Sequence, residues 1–159
     1  MSDDATFEDG RERPLNLGAE DADDLGVISA LIQDAVLPVT EMTWRRADRR
    51  FALFLNRFRW EDADAATLRR RAFERVQAVL SVENALKVES QGVDRSEKDV
   101  ILSVLSIAFE PGEDGAGDVI VTLAGDGAIR VQVEALDVRL RDVTRPYIAP
   151  SGHAPSHEA

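Results

Sequence analysis

The chain has 159 residues, of which 44% are apolar, and its 30 acidic and 19 basic residues give a formal net charge of −11. This length corresponds to about one domain, and the apolar fraction is sufficient to fill a core. No segment approaches the ~20 consecutive apolar residues of a membrane helix. The absence of cysteine excludes disulfides and cysteine metal ligands. An acidic start without the features of a signal peptide predicts a cytoplasmic protein.

The first predicted element is a helix at residues 21–33. Asp21, with Asp24 three residues later, resembles a capping box, and both carboxylates suit the positive end of the helix dipole. Pro38 excludes continuation of the helix beyond this region. The apolar residues that recur at helical spacing are Leu25, Ile28, Leu31 and Ile32.

After Pro38, the spacing of the apolar residues changes towards every second position, which is the period of a strand. Residues 41–46 and 50–58 are predicted strands, and a turn at 47–49 would join them in a hairpin. The second of these strands has apolar side chains on both faces, which indicates a central position in a sheet. Residues 62–82 fit both a helix and a strand, and we predict a loop or short helical turn at 62–69 followed by a strand.

Strands dominate the remainder of the chain. Residues 85–92 are a predicted strand, and residues 100–110 are another, with Ile101, Leu105, Ile107 and Phe109 expected on one face. Two alternating runs separated by Gly125, Asp126 and Gly127 predict a hairpin, since an Asp-Gly pair is a strong turn signal. Residues 136–140 continue as a strand, or form a short helix with Val143.

These elements predict one α+β domain at residues 15–145, between flexible tails at 1–14 and 146–159. It would consist mainly of antiparallel β-sheet, because no alternation of strand and helix indicates a parallel one. About seven strands would form a sandwich or partial barrel, with an N-terminal helix covering one opening.

Three segments of the sequence resemble the DUF2948 family of small bacterial proteins. They are Leu-Gly-Val-Ile-Ser-Ala-Leu-Ile-Gln-Asp-Ala-Val at 25–36, Arg-Arg-Phe-Ala-Leu-Phe-Leu-Asn-Arg-Phe-Arg-Trp-Glu at 49–61 and Gly-Val-Asp-Arg-Ser-Glu-Lys-Asp at 92–99. The resemblance covers roughly residues 15–145. It implies a bacterial cytosolic protein with a single domain and supplies no function and no catalytic residues.

The segment at residues 44–60 is the strongest candidate site, since it holds six arginines and five aromatic residues in a strongly acidic chain. Arg57 and Arg59 share one face of a strand and could grip a carboxylate or phosphate. The alternative is that they pair with Glu61, Asp62 or the acidic helix start, with the aromatic rings in the core. The candidate binding residues are Arg45, Arg46, Arg50, Asn56, Arg57, Arg59 and Trp60.

Other patterns give weaker signals. Arg69–Arg71 with Arg75 could contact a nucleic-acid backbone, but a solvated face is the more frequent role of such a cluster. His153 and His157 lack a third metal ligand nearby. The glycines between 112 and 117 are not followed by the Gly-Lys-Ser/Thr of a phosphate-binding loop. No cofactor, metal or catalytic residue is predicted.

The sequence therefore predicts a non-enzymatic binding module that uses the arginine- and tryptophan-rich segment to dock an acidic protein partner or to self-associate. One alternative is a nucleic-acid-binding protein that uses Arg45, Arg46, Arg50 and Arg69–Arg71. A second alternative is an enzyme that acts through carboxylates and arginine.

Overall fold

The computed structural model of the chain describes residues 14–61, 74–94 and 96–143, together with the backbone of residues 147 and 148. These ranges contain one α-helix and eleven β-strands. The elements in chain order are β1 (Asn16–Ala19), α1 (Ala22–Leu31), β2 (Val36–Pro38), β3 (Met42–Arg45), β4 (Arg50–Phe58), β5 (Glu74–Val82), β6 (Ala85–Gln91), β7 (Ile101–Pro111), β8 (Gly117–Leu123), β9 (Gly127–Val133), β10 (Val138–Asp142) and β11 (Tyr147–Ile148).

The predicted number of about seven strands is wrong, because the shortest strands leave no pattern in the sequence. β1, β2 and β11 contain four, three and two residues, which is too short for an alternating run to be recognised. The region around residues 136–143, which the sequence left open, is the strand β10. The loop or turn predicted at 62–69 lies outside the described residues, and the strand expected after it is β5.

The helix α1 begins as the sequence predicts but is not the N-terminal element. It follows β1, and β1 pairs with β10 near the other end of the domain. Asp21 caps the helix, since its side chain accepts a hydrogen bond of 2.8 Å from the backbone N–H of Asp24. Leu25, Ile28 and Leu31 are buried. In the described ranges, no helix combines the length and apolar character required to cross a membrane.

Every strand pairing is antiparallel, which confirms the predicted class of sheet. The strand order is β1-β10-β5-β4-β2-β7-β8-β9-β6, with β3 paired to β4 and β11 paired to β5. β4 lies between β5 on one side and β3 and β2 on the other, so its predicted central position is also confirmed. The helix packs against β7 and β1.

Both predicted hairpins are present. β3 pairs with β4 from Met42 opposite Leu53 to Arg45 opposite Arg50. β8 and β9 pair around a turn in which Gly125 and Asp126 have φ angles of 81° and 68°. Glycine adopts a positive φ without strain and aspartate tolerates it, which explains Gly125 and Asp126 in this turn.

The prediction that Ile101, Leu105, Ile107 and Phe109 share one face of β7 is wrong, because the strand contains a bulge. The pairing with β8 shifts register between Val104 and Ser106, so the alternation of inward and outward side chains changes there. Leu102 and Val104 are buried before the bulge and Ile107 after it, whereas Ile101 and Leu105 are exposed. A strict period of two cannot predict this change.

One buried cluster fills the space enclosed by the sheet and the helix. In β4, β5 and β10, every second side chain contributes to this core, and the remaining side chains lie on the opposite face. We call the opposite face of β1, β10, β5 and β4 the outer face. Arg57 lies on the core side of these strands, whereas Arg50, Arg139 and Arg141 lie on the outer face.

Candidate functional site

Arg57 lies on the core side of β4. Leu53, Leu55 and Arg57 follow one another at alternate positions, and all three side chains are buried. Arg57 is fully buried and stands opposite Val76 of β5. A charged side chain is rarely placed in such a position unless its charge and its donors are satisfied by other groups.

All five N–H donors of the Arg57 guanidinium have acceptors. Nε and Nη2 donate to Oδ1 and Oδ2 of Asp142 at 3.0 and 2.9 Å. Nη1 and Nη2 donate to Oε1 and Oε2 of Glu61 at 3.1 and 3.0 Å. Nη1 also donates to the carbonyl of Phe58 at 3.0 Å. Since an arginine has five N–H donors, none is left to hold an outside anion.

Asp142, on β10, is as deeply buried as its partner, with 1% of its side chain exposed. Its Oδ2 also accepts a hydrogen bond of 2.8 Å from the backbone N–H of Leu15. Burial alone would lower the pKa of Arg57, but hydrogen bonds and charge attraction from Asp142 and Glu61 outweigh it and raise the pKa. Arg57 therefore remains charged, and the pair connects β4 to β10.

Arg59 belongs to the same internal arrangement. Its Nε donates to Oε2 of Glu61 at 3.3 Å, and its Nη1 donates to Oε1 of Glu74 at 3.2 Å. Only 5% of its side chain is exposed. We call Arg57, Arg59, Glu61, Glu74 and Asp142 the buried ion network. Both Arg57 and Arg59 bind Glu61, which agrees with the alternative that the two arginines pair with acidic residues of the chain itself. This pairing directs both side chains away from solvent.

Asn56 and Trp60 are placed differently from the two arginines. The Nε1–H of Trp60 donates to the carbonyl of Gln33 at 2.9 Å. Its ring meets that of Phe58 edge to face, with centroids 5.6 Å apart, and packs against the core. Asn56 is half-buried on the other face of β4, opposite Gln77. The candidate residues at 56–60 thus do not form one shared surface.

The hairpin arginines Arg45, Arg46 and Arg50 lie at the surface. Nε of Arg45 is 3.7 Å from a carboxylate oxygen of Asp48, and both side chains are more than half exposed. Arg46 is exposed in the turn between β3 and β4. Nε of Arg50 donates to both carboxylate oxygens of Glu83, at 3.1 and 3.0 Å. Arg69–Arg71, His153 and His157 lie outside the described residues.

Arg50 also lines a groove on the outer face that the sequence analysis did not identify. The groove has a volume of about 360 Å³. Its lining residues come from the strands β1, β10, β5 and β4 and from the turn after β5. We call it the arginine groove; its lining residues are Asn16, Arg50, Val79, Ser81, Glu83, Arg139 and Arg141.

The sheet register brings these residues together. Arg139 and Arg141 are exposed on β10, while the residues that alternate with them are buried. Arg139 stands opposite Ser81 of β5, and Arg141 stands between Asn16 of β1 and Val79 of β5. The signal for this surface was present in the Val-Arg-Leu-Arg-Asp alternation of residues 138–142. Its relation to Arg50 depends on long-range strand pairing, which the sequence does not reveal.

The three arginines of the groove differ in their partners. Glu83 accepts hydrogen bonds from Arg50 and from the hydroxyl of Ser81. Nε and Nη2 of Arg139 donate to the two carboxylate oxygens of Asp137 at 3.2 and 3.0 Å. The hydrogen bond with Asp137, followed by the charges of Asp137 and Glu83, raises the pKa of Arg139.

Arg141 is the exposed arginine whose charge the groove leaves uncompensated. Among the residues that the structure describes, its side chain has no hydrogen-bond or ion-pair partner. Among the described residues, the lining carries three arginines against one glutamate, and Asp137 beside the groove pairs with Arg139. The groove is therefore locally cationic in a protein of net charge −11. Arginine guanidinium groups in such a place can receive a carboxylate or phosphate through paired hydrogen bonds.

In the described ranges, no group of three or more His, Asp or Glu side chains could hold a metal ion.

Comparison with protein families gives a match to DUF2948, described as a protein of unknown function, over residues 15–157. The chain belongs to the DUF2948 family. The resemblance seen in the sequence is thus confirmed. Neither a comparison with curated proteins nor one with solved structures finds a match.

Proposed function

We propose that this DUF2948 protein is a non-enzymatic binding module that docks an acidic protein partner in the arginine groove. The observation that carries the proposal is the position of Arg141, an exposed arginine without an ion-pair partner among the described residues, beside Arg139 and Arg50. An exposed guanidinium retains all of its donors for a partner, whereas Arg57 has none available. We therefore assign the proposed binding surface to the outer face and not to residues 57–60.

Electrostatics support an acidic partner. The groove is cationic because Glu83 and Asp137 pair with Arg50 and Arg139 and leave the charge of Arg141 in excess, so a carboxylate that enters it is attracted chiefly to Arg141. Glu83 itself is already paired with Arg50 and Ser81. The charge of the whole protein repels acidic molecules at long range, and this repulsion is screened beyond about 8 Å at physiological salt. Binding would therefore depend on close contact at the groove.

The groove also differs from the buried ion network as a site for chemistry. The network combines a buried arginine with a buried acid, Arg57 and Asp142, but neither residue lines the groove. An enzyme that used this pair would need substrate access to side chains that are 0% and 1% exposed. A structural role for the network and a binding role for the groove account for both sets of residues.

The proposal is tested with a fluorescent octaglutamate peptide and measurements of anisotropy at low and physiological salt. We expect binding to the full-length protein that weakens as salt increases, and a decrease in affinity of about tenfold in Arg141→Glu, which corresponds to ~1.4 kcal/mol. Arg46→Glu is the matched control, since it makes the same change in charge at an exposed arginine of the β3–β4 turn.

Three results would contradict the proposal. An absence of binding at low salt would exclude acidic segments as partners. Equal affinities of the native protein and Arg141→Glu would remove the groove as the binding surface. A loss of binding in Arg46→Glu alone would indicate that the hairpin arginines predicted from the sequence form the binding surface.

Self-association is the form of this proposal in which a second copy supplies the acidic segment. The first turn of α1 presents Asp23 and Asp24 at the surface and is the acidic element that a second copy would offer. Sedimentation at low salt distinguishes this form, because dimers would then be lost in Arg141→Glu and retained in Arg46→Glu.

A further inference from the structure

We infer that the arginine groove recognises an extended segment that carries acidic side chains at alternate positions, lying along β10. This inference rests on the proposed function, and it specifies the pattern that an acidic partner must have. The observations that carry it are the spacing of Arg139 and Arg141, the identity of their neighbours on the outer face and the size of the groove.

The spacing of the two arginines is set by the strand. Arg139 and Arg141 are two residues apart on β10, and both are exposed on the same face while Leu140 between them is buried. Each residue of a strand advances the chain by about 3.3–3.4 Å, so the two side chains leave the backbone about 6.7 Å apart. The Cα pairing of β10 with both β1 and β5 holds this spacing on each side.

An extended peptide has the same repeat. Its side chains at positions i and i+2 lie on one face and are also about 6.7 Å apart. A segment aligned with β10 can therefore place one carboxylate at Arg141 and another at Nη1 of Arg139 without bending, since only Nε and Nη2 of Arg139 are paired with Asp137. Acidic residues at i and i+1 would point to opposite faces, and those at i and i+3 would likewise fail to meet both arginines.

The other lining residues lie beside the two arginines, where they can contact the backbone of such a segment. Val79 stands opposite Arg141 and provides an apolar contact, and Asn16 on the other side provides an amide for hydrogen bonding. The volume of about 360 Å³ lies near the lower end of the range of ligand pockets, about 300–1,000 Å³. This favours a short segment over a broad docking surface.

The lining argues for a peptide over a single-stranded nucleic acid, whose phosphates would also seek arginine. Proteins that bind single strands combine a cationic track with aromatic side chains on which bases stack. Among the described residues that line the groove, none is aromatic and one is Glu83, while the exposed Phe54 of β4 lies opposite Val79 on the same face. The net charge of −11 adds repulsion to a polyanion that extends beyond the groove.

The test uses three nine-residue peptides of identical composition, with blocked ends and two glutamates in a background of serine and alanine. The glutamates are adjacent in the first peptide, separated by one residue in the second and by two in the third. Each peptide is titrated into the full-length protein labelled with ¹⁵N, and the arginine Nε–H signals and the backbone amides of β10 are followed by NMR. A six-nucleotide oligothymidine is titrated in parallel.

We expect the peptide with one intervening residue to bind about fivefold or more tightly than the other two, and to shift the signals of Arg139 and Arg141. Arg139→Gln and Arg141→Gln should each remove this preference, so that the three peptides bind alike. Arg141→Lys should retain part of the affinity, since a lysine keeps the charge and loses the paired hydrogen bonds. Arg130→Gln, at an exposed position of β9 outside the groove, should leave the preference unchanged.

The possible failures are distinguishable. If all three peptides bind the groove with equal affinity, the inference about spacing is overturned and the proposed function stands. If octaglutamate and all three peptides fail to bind, both are overturned. If the oligothymidine binds at Arg139 and Arg141 more tightly than every peptide, the partner is a nucleic acid and the inference is overturned.

Discussion

The guanidinium of Arg57 binds both carboxylate oxygens of Asp142, a residue that lies 85 positions further along the chain. In the sheet, β5 lies between the strands that carry these two residues. The pair therefore connects β4 and β10 on the core side of β5, and the hydrogen bond from Leu15 to Asp142 extends the connection to the residue before β1. Arg57, in the most arginine-rich segment of the chain, therefore has a structural role.

Removal of one partner of this pair should strongly destabilise the fold. Asp142→Asn leaves the charge of Arg57 buried without its principal counter-ion, and we expect a loss of about 3–5 kcal/mol in the free energy of unfolding. Urea denaturation followed by circular dichroism measures it. Asp118→Asn is the control, because it breaks an exposed pair with Arg130 and should cost less than about 1 kcal/mol. Similar losses in both variants would show that the Arg57–Asp142 pair is not a principal support of the fold.

A double substitution separates the charge from the packing. Arg57→Met with Asp142→Leu removes both charges together, and this double variant should recover much of the stability that Asp142→Asn loses. Glu61 loses a partner in the double variant, but its side chain is 23% exposed and can be hydrated. A double variant that is less stable than Asp142→Asn would mean that the other hydrogen bonds lost, from Arg57 to Glu61 and Phe58 and from Leu15 to Asp142, outweigh the removal of the charges.

Part of this arrangement was within reach of the sequence. The alternation in β4 places Arg57 and Arg59 on one face, and Glu61 is close enough along the chain to be named as a partner. Asp142 could not be named, because its proximity follows from the pairing of β5 with both β4 and β10. The arginine groove required the same pairings, since it joins Arg50 to residues of three other strands. Local patterns predicted the strands and hairpins but not the faces that distant strands share.

Substitution of Arg141 should change binding and leave stability nearly unaffected. The side chain is exposed and has no ion-pair partner among the described residues, so Arg141→Ala should alter the free energy of unfolding by no more than about 0.5 kcal/mol. The same variant should weaken binding of the octaglutamate peptide and lower its dependence on salt. Urea denaturation and anisotropy on one protein preparation provide both measurements. A marked loss of stability would indicate a structural role for Arg141.

A hydrogen bond between the helix and the bulged strand should also contribute to stability. The backbone N–H of Ile107, which follows the bulge of β7, donates to the hydroxyl of Ser29 in α1 at 3.0 Å. Ser29→Ala leaves this N–H without its acceptor, and we expect a loss of about 1–3 kcal/mol. Ser29→Thr keeps the oxygen and should retain more of the stability, whereas Ser90→Ala, at an exposed position of β6, should have almost no effect. Equal stabilities of Ser29→Ala and the native protein would mean that water replaces the hydroxyl.

Two glycines should respond in opposite directions to substitution by alanine. A Cβ at Gly26, within α1, meets no atom within 4 Å, so Gly26→Ala should stabilise the protein by about 0.5–1 kcal/mol through the higher helix propensity of alanine. A Cβ at Gly117, at the start of β8, would collide with the carbonyl oxygen of Glu110 and approach the ring of Phe109 to 2.7 Å. Since a paired backbone cannot easily move, Gly117→Ala should destabilise the protein by about 1–3 kcal/mol. Thermal unfolding of both variants tests the close approach of β7 and β8, and an unchanged melting temperature in Gly117→Ala would show that the two strands can separate there without loss.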